Sequence, residues 1–246
     1  MTTVVFLHGV LASGAVWDRA RAGLPDGVAS AAPDAPHHGE RRDHHLSVAD
    51  GGVSLEGLVA DAAGAIEAAT ADDGVPVHLV GHSLGGLTAL AVALDRPDLV
   101  ASLVLVDCSP VPARLPWFVR PLSRLVEAGV GAFARVAGPR RRLGSMPAGA
   151  LAGFLTLLRT HPDLRPRLGE IAVPTTVIVG ADEFAGLRAG ADTLAARIAE
   201  ATLVVIDGAS HEPPKQQPER FAAALGDHLD RVGVSRAARP PRRPAS

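Results

Sequence analysis

Six short runs rich in β-branched residues recur along this chain, and stretches with helical character separate them. The runs cover Thr3 to Leu7, Val28 to Pro33, Val75 to Gly81, Val100 to Asp107, Val173 to Gly180 and Ala201 to Asp207. Their nearly continuous hydrophobicity is typical of strands buried on both faces, as in a parallel sheet that helices cover. The helical stretches lie around residues 15–24, 55–70, 84–95, 186–200 and 216–232. This alternation predicts a doubly wound α/β domain.

The alternation breaks once, between residues 110 and 170. This segment contains amphipathic stretches punctuated by proline and glycine, and it offers no convincing strand. Because it is too long for an ordinary connecting loop, it predicts a small helical cap. The α/β core then comprises residues 1–109 and 171–232. If the cap covers a binding site, its large apolar side chains would form the roof, namely Trp117, Phe118, Phe133 and Phe154.

Arginine is distributed unevenly in a chain whose net charge is only −2. The predicted cap holds ten arginines against three acidic residues, and these arginines are interpreted as solvent-facing. Residues 233–246 are basic and rich in proline and alanine, which predicts a disordered tail. This tail has no interleaved aromatic residues and no attached recognition motif, so nucleic acid is not an expected partner.

The length and composition favour one compact domain. A chain of 246 residues with 47% hydrophobic content can bury one substantial core. Cys108 is the only cysteine, so no internal disulfide is possible. The N-terminus has no basic leader, and no apolar run reaches about 18 residues. These features predict a soluble, cytoplasmic monomer or homodimer that acts on a small molecule and has no membrane partner.

Ser83 lies between two glycines in the stretch GHSLGG, where a predicted strand turns directly into a predicted helix. Such a turn brings backbone segments so close that side chains two positions either side of Ser83 would collide, and Gly81 and Gly85 remove that collision. The serine is then held in a strained conformation beside the free N–H groups of a helix N-terminus. This is a favourable place for a nucleophile.

GHSLGG fits the G-x-S-x-G nucleophile elbow, and four further motifs occur in the expected order. These are FLHGVLASGAVWD, APDAPHHGE, VPTTVIVGADE and DGASHEPPKQQPERF. On these motifs the chain resembles the α/β-hydrolase superfamily from about Thr3 to Leu229. The resemblance implies an α/β-hydrolase fold without a required cofactor or metal. Because the first strand already carries the loop after HG, the sheet is expected to have six parallel strands.

The resemblance assigns Ser83 as the nucleophile, His211 as the general base, and the backbone N–H groups of Val10 and Leu84 as the oxyanion hole. The chemistry supports these residue types independently. A serine hydroxyl is a poor nucleophile until an imidazole takes its proton, and an acid must fix the tautomer of that imidazole. Two N–H donors would then stabilise the negative charge that develops on the substrate oxygen.

Three residues compete for the role of the acid. The resemblance favours Glu183, three residues after Gly180, while the neighbouring Asp182 is the second candidate. Asp107 is the third, since some subfamilies place the acid after that strand. Strand geometry predicts that Asp182 and Glu183 point in different directions, so that only one of them faces His211.

The first five histidines of the chain lie outside the proposed triad, and four of them invite a metal-site interpretation. His8 is expected to shape the loop after the first strand. The remaining four lie in the stretch HHGERRDHH as His37, His38, His44 and His45. Their spacing fits neither a helical nor a hairpin metal site, so a solvated loop is favoured.

The substrate expected from the sequence is a small carboxylic ester or lactone. The stretch FLHGVLASGAVWD also looks like the synthases of menaquinone biosynthesis, which are lyases acting on an acidic substrate. Those enzymes usually carry an arginine where this chain has Leu87. A non-catalytic small-molecule binding protein of the same fold is the remaining alternative, because fold does not fix function.

Overall fold

The structure is a computed structural model that describes residues 1–43, 53–112 and 146–234, together with positions 129–130, 132, 136 and 142–143. The strands are β1 Thr3–Leu7, β2 Ala29–Ala31, β3 Val77–His82, β4 Val100–Val106, β5 Arg142–Leu143, β6 Met146–Pro147, β7 Thr175–Gly180 and β8 Ala201–Ile206. The α-helices are α1 Asp18–Ala22, α2 Leu55–Ala69, α3 Leu84–Asp95, α4 Ala148–Thr160, α5 Ala185–Arg197, α6 Pro213–Gln216 and α7 Pro218–Arg231.

Six of the strands form one sheet in the order β2-β1-β3-β4-β7-β8, and every neighbouring pair is parallel. This confirms the predicted six-stranded, doubly wound sheet. The parallel arrangement places the carboxyl ends of β1, β3, β4, β7 and β8 along one edge. Loops at that edge of an open α/β sheet carry ligand sites.

Helices cover both faces of the sheet, and each face has its own apolar cluster. On one face α2, α3 and α5 pack against the strands through side chains such as Ile66, Leu90 and Leu194. On the other face Trp17 packs beside Phe6 and Phe221, the latter from α7. Strands β1, β3 and β7 are buried along their whole length, as their apolar sequences predict.

The last strand departs from that expectation. Leu203 and Val205 are 39% and 42% exposed, so β8 is not buried on both faces although its sequence is nearly all apolar. The strand order explains the difference, because β8 is an edge strand that pairs with β7 alone among the described strands. A hydrophobic run indicates a strand, but it does not reveal the position of that strand in the sheet.

The described part of the segment 110–170 contains α4 and a 3-10 helix over Arg165–Glu170. It also contains the two-residue antiparallel pair β5–β6, so the expectation of no strand in this segment is wrong. Phe154 of α4 is fully buried, whereas Trp117, Phe118 and Phe133 lie outside the described residues. Most of the predicted tail, residues 235–246, also lies outside them. No helix among the described residues is long and apolar enough to cross a membrane.

Candidate active site

Ser83 occupies a sharp turn between β3 and α3. Its φ of 54° and ψ of −115° place a non-glycine residue in the left-handed half of backbone space, which is characteristic of a strained functional turn. A Cβ atom on Gly81 would lie 2.3 Å from the Gly85 carbonyl oxygen. A Cβ atom on Gly85 would lie 2.2 Å from the Leu7 carbonyl oxygen. Both glycines are therefore required by the close backbone approach that the sequence predicted.

The backbone of Ser83 is tied to the neighbouring strand and to its own helix. Its N–H donates to the Val106 carbonyl at 2.9 Å, and its carbonyl accepts from the Leu87 N–H at 2.9 Å. The Ser83 side chain makes no capping bond to α3. The serine hydroxyl thus does not serve as an N-cap and is available for other contacts.

His211 lies in the loop between β8 and α6, and it bridges Ser83 and Glu183. Its Nε2 is 3.0 Å from the Ser83 Oγ, and its Nδ1 is 2.7 Å from the Glu183 Oε2. The loop reaches this position because β7 and β8 end side by side. A Cβ atom on Gly180 would lie 2.3 Å from the Ser210 carbonyl oxygen, so the loops after the two strands are in direct contact.

Glu183, rather than Asp182 or Asp107, contacts the Nδ1 of His211. The side chain of Glu183 is completely buried and its Oε1 accepts from the Phe184 N–H at 2.7 Å, whereas Asp182 is exposed. Burial alone would raise the pKa of the Glu183 carboxyl, but its bonds from His211 and Phe184 bring that pKa below the ordinary value. The same contact raises the pKa of His211 against the effect of burial.

His82, which the sequence reasoning did not single out, supports the loop that carries His211. Its Nε2 lies 2.5 Å from the His211 carbonyl oxygen and donates to it. Burial lowers the pKa of His82 to about 4, so the ring is neutral at physiological pH. The only sequence signal was its position directly before the nucleophile, at the buried end of β3.

The loop after β1 passes close to the nucleophile. A Cβ atom on Gly9 would lie 3.2 Å from the Ser83 Cβ. His8 holds this loop as expected, because its Nδ1 donates to the Gly9 carbonyl at 2.8 Å and its Nε2 accepts from the Ala35 N–H at 2.9 Å. Val10 and Leu84 follow Gly9 and Ser83, and neither N–H has a hydrogen-bond acceptor within the described stretches.

His37 and His38 are buried, so the expectation of a solvated loop is wrong for these two residues. The Nε2 of His38 accepts from the Leu11 N–H at 3.2 Å, and its Nδ1 donates to the Pro36 carbonyl at 2.9 Å. Its ring also packs edge-on against Phe154, with centroids 5.1 Å apart. These contacts of His38 stabilise the loop beside the site. His44 and His45 lie outside the described residues.

Within the described ranges, His82, Asp107 and His211 bring potential metal-ligand atoms within 4.8 Å of one another. Both ring nitrogens of His211 already have partners, and the Nε2 of His82 donates to a backbone carbonyl. A metal ion bound to His211 would have to replace one of these two His211 bonds. The donor set therefore does not fit a resident metal.

A second serine–histidine contact occurs in the core. The Ser102 Oγ lies 2.8 Å from the His228 Nε2 and 2.8 Å from the His78 Nδ1. The other His228 nitrogen contacts the Thr176 Oγ1 at 2.8 Å, so no carboxylate completes this set. Ser102 is fully buried in the middle of β4 and no substrate can reach it. Ser102, His78, His228 and Thr176 together form a buried core network.

Residues 4–224 of this chain match the Alpha/beta hydrolase family. The chain is 30% identical over 173 residues to the putative carbamate hydrolase RutD of Stutzerimonas stutzeri, which corresponds to 62% of this chain and 65% of that protein. It is 29% identical over 258 residues to the pimeloyl-[acyl-carrier protein] methyl ester esterase of Aromatoleum aromaticum, which corresponds to 91% of this chain and 96% of that protein.

The fold also superimposes on solved structures. A thermophilic esterase from Thermogutta terrifontis, solved with malate bound, gives a TM-score of 0.77 at 25% sequence identity and covers 94% of this chain and 90% of that one. The six-stranded parallel sheet, the crowded glycine turn at Ser83 and the family match over residues 4–224 lead to one conclusion. This chain belongs to the alpha/beta hydrolase family.

Proposed function

We propose that this chain is a serine hydrolase that cleaves a small carboxylic ester, or a lactone, through an acyl-enzyme. One observation carries the proposal: a continuous hydrogen-bonded chain runs from the Ser83 Oγ through both nitrogens of His211 to the Glu183 carboxylate. Nucleophile, base and acid stand in the order that general-base activation of a serine requires.

The contacts of His211 support one direction of proton transfer. Glu183 accepts a hydrogen bond from the Nδ1 of His211, which leaves the Nε2 unprotonated and facing the Ser83 hydroxyl. As Ser83 attacks the substrate carbonyl, the Nε2 takes its proton and later delivers it to the leaving alcohol oxygen. The raised pKa of His211 matches this role, because the imidazolium formed in the transition state is stabilised by the buried carboxylate.

The proposed oxyanion hole consists of the Val10 and Leu84 N–H groups. Leu84 is the first residue of α3, where an N–H has no intrahelical acceptor and the helix dipole favours negative charge. Val10 follows Gly9, which packs against the Ser83 Cβ. Two such donors would bind the oxygen of the tetrahedral intermediate, and a water activated by His211 would then release the acid product.

An ester is favoured over the acidic substrate of a lyase. Leu87 is buried in α3, so its position provides no cation to the site. Two arginines of the 110–170 segment form surface ion pairs instead, Arg165 with Asp163 and Arg167 with both Asp95 and Glu170. Similarity over 91% of this chain to a methyl ester esterase supports the same choice.

The binding-protein alternative is disfavoured by the strained serine. A receptor that only encloses a ligand does not need a positive φ at Ser83 or a buried carboxylate on His211, and such strain is usually retained where it assists chemistry. Both features are present together.

The test combines covalent labelling with turnover. The proteins compared are wild type, Ser83→Ala and a matched control, Ser30→Ala. Each is incubated with a fluorophosphonate, its intact mass is measured by mass spectrometry, and its turnover is assayed on a panel of acyl esters and lactones. Ser30 lies on β2, at the sheet edge opposite β8, and its hydroxyl contacts Arg21. We expect one adduct and ester turnover in wild type and in Ser30→Ala, and neither in Ser83→Ala. Turnover that persists in Ser83→Ala, or a wild type that neither labels nor hydrolyses any ester, contradicts the proposal.

A further inference from the structure

Asp107, at the end of β4, is a buried carboxyl that the proposed proton transfer does not use. It is 1% exposed, and its φ of 43° is unusual for a residue that is not glycine. Such strain at a strand end adjoining a catalytic site is a reason to look for a function.

The backbone around Asp107 connects the nucleophile to the acid. The carbonyl of the preceding residue, Val106, accepts the N–H of Ser83. The N–H of Asp107 donates to the Ile178 carbonyl at 2.9 Å, and its Oδ1 accepts from the Gly180 N–H at 3.1 Å. Asp107 therefore joins the end of the nucleophile's neighbouring strand to the loop that carries Glu183.

The second oxygen of Asp107 is buried and has no hydrogen-bond donor among the described residues. One Asp107 carboxylate oxygen lies within 4.8 Å of a His211 ring nitrogen, and the Glu183 Oε2 lies 2.7 Å from the His211 Nδ1, so both carboxyl groups approach the same imidazole. Two ionised carboxylates cannot hydrogen-bond to each other and repel at short range, whereas a single shared proton gives one of them an O–H donor. A proton on Asp107 would satisfy both the orphaned oxygen and the neighbouring Glu183.

We propose that Asp107 is a positioning residue that, in its protonated form, donates its carboxyl O–H to the Glu183 carboxylate. The proposal rests on the proposed function, since it assigns Asp107 the task of holding the triad acid toward His211. The proton stays on Asp107 throughout the reaction, and the negative charge stays on Glu183.

The surroundings of Asp107 favour its neutral form. The titratable groups that face it are Glu183, His211, His82 and the thiol of Cys108. Burial, together with the Glu183 charge, raises the pKa of Asp107 to about 7, against the effects of the Gly180 N–H and of His211. The neutral ring of His82 and the buried Cys108 thiol, whose pKa is far above its ordinary value, add no stabilising charge.

Infrared difference spectroscopy on the full chain tests the protonation state without relying on turnover. We expect the wild type minus Asp107→Asn spectrum to contain the carbonyl stretch of a protonated carboxylic acid, and we expect this band to disappear as the pH rises through about 7. A second difference spectrum subtracts the double variant Glu183→Gln/Asp107→Asn from Glu183→Gln. In this spectrum the band should disappear at a lower pH, because the neighbouring Glu183 charge is gone. Absence of the band at every pH at which the protein is folded, or a midpoint unaffected by Glu183→Gln, overturns the proposal.

Kinetics test the positioning role. Asparagine can accept from the Gly180 N–H and donate to Glu183, so Asp107→Asn should retain kcat/KM within a few-fold, while Asp107→Leu should lose about tenfold or more, mainly in kcat. The acidic limb of the pH profile of kcat/KM should be steeper in Asp107→Asn than in wild type, because no carboxyl at position 107 titrates beside His211.

A loss of activity in Asp107→Asn as large as that in Glu183→Gln would mean that Asp107 acts in its ionised form, and would overturn the proposal. If no ester is turned over even by wild type, the proposed function fails, and the infrared result still decides the state of Asp107.

Discussion

Ser83 and Ser102 each lie within hydrogen-bond distance of a histidine, at 3.0 Å and 2.8 Å respectively, yet the two pairs have opposite surroundings. Ser83 has a positive φ at the carboxyl edge of the sheet, and the side chain of its partner His211 is 38% exposed. Ser102 lies within β4 and is fully buried, and its partner His228 extends from α7 into the core.

The acid group is the second difference. A buried carboxylate contacts His211 and raises the pKa of that histidine, whereas burial and the nearby Arg231 lower the pKa of His228 to about 3. A base must be able to hold a proton when the reaction requires it, and His228 cannot do so at neutral pH. Distance alone therefore does not identify a catalytic pair; the third group and the access of substrate do.

Replacing the serine of the first pair should have the largest effect. Ser83→Ala is expected to lower ester turnover by about a million-fold while the unfolding midpoint in urea stays close to that of wild type. The matched variant Ser102→Ala should keep its turnover. Activity lost in Ser102→Ala but retained in Ser83→Ala would reverse our assignment of the two pairs.

The acid of the first pair comes next. Glu183→Gln should reduce kcat by about ten-thousand-fold, because His211 loses the partner that fixes its tautomer. Asp182→Asn, which changes the exposed neighbouring carboxylate, serves as the control and should lose far less. Steady-state kinetics on the best ester of the panel measures both. A severe loss of kcat in Asp182→Asn together with an active Glu183→Gln would disprove the assignment of Glu183 as the acid.

The serine of the core network should matter for stability instead. Ser102→Ala leaves buried nitrogens of His78 and His228 without a partner, which should lower the free energy of unfolding by about 1–3 kcal/mol. The melting temperature should then fall by about 2–4 °C for each kcal/mol. Urea denaturation and calorimetry provide the measurement, and Ser30→Ala, which leaves this network intact, is the comparison. An unchanged unfolding free energy would show that the network contributes nothing.

The two histidines should also separate activity from stability along the pH scale. Activity needs neutral His211. Because the pKa of His211 is raised, kcat/KM should already begin to fall above about pH 6.5 when the pH is lowered from the alkaline side. His228 is neutral in the folded state down to about pH 3, whereas in the unfolded chain it binds a proton below about pH 6.5. The contribution of neutral, buried His228 to stability should therefore decline as the pH falls from about 6.5 toward 3. His228→Gln should flatten that decline, and coincident loss of activity and stability would contradict the separation.

The sequence predicts local features of this molecule well. Strand β1 and helix α3 have the predicted bounds, and the glycine spacing around Ser83 correctly anticipates a backbone too crowded for side chains. These features depend on hydrophobic period and on residues a few positions apart, and both are visible in a single sequence.

Features set by distant segments could not be read in the same way. The burial of His38 depends on contacts with Leu11 and Phe154, and the support of His211 by His82 joins residues 129 positions apart. The partial exposure of β8 at the sheet edge depends on the strand order. The β5–β6 pair is too short for any periodicity to reveal it.

The glycine contacts at the elbow restrict how this chain can be altered in laboratory evolution. Added Cβ atoms at Gly81, Gly85 and Gly86 would lie 2.2 to 2.7 Å from their nearest neighbours, which belong to the start of α3, the end of β1 and the residue pair after β4, respectively. A mutant library that randomises these three codons should consist almost entirely of inactive clones. Libraries aimed at new substrates are better directed at positions that these contacts leave free.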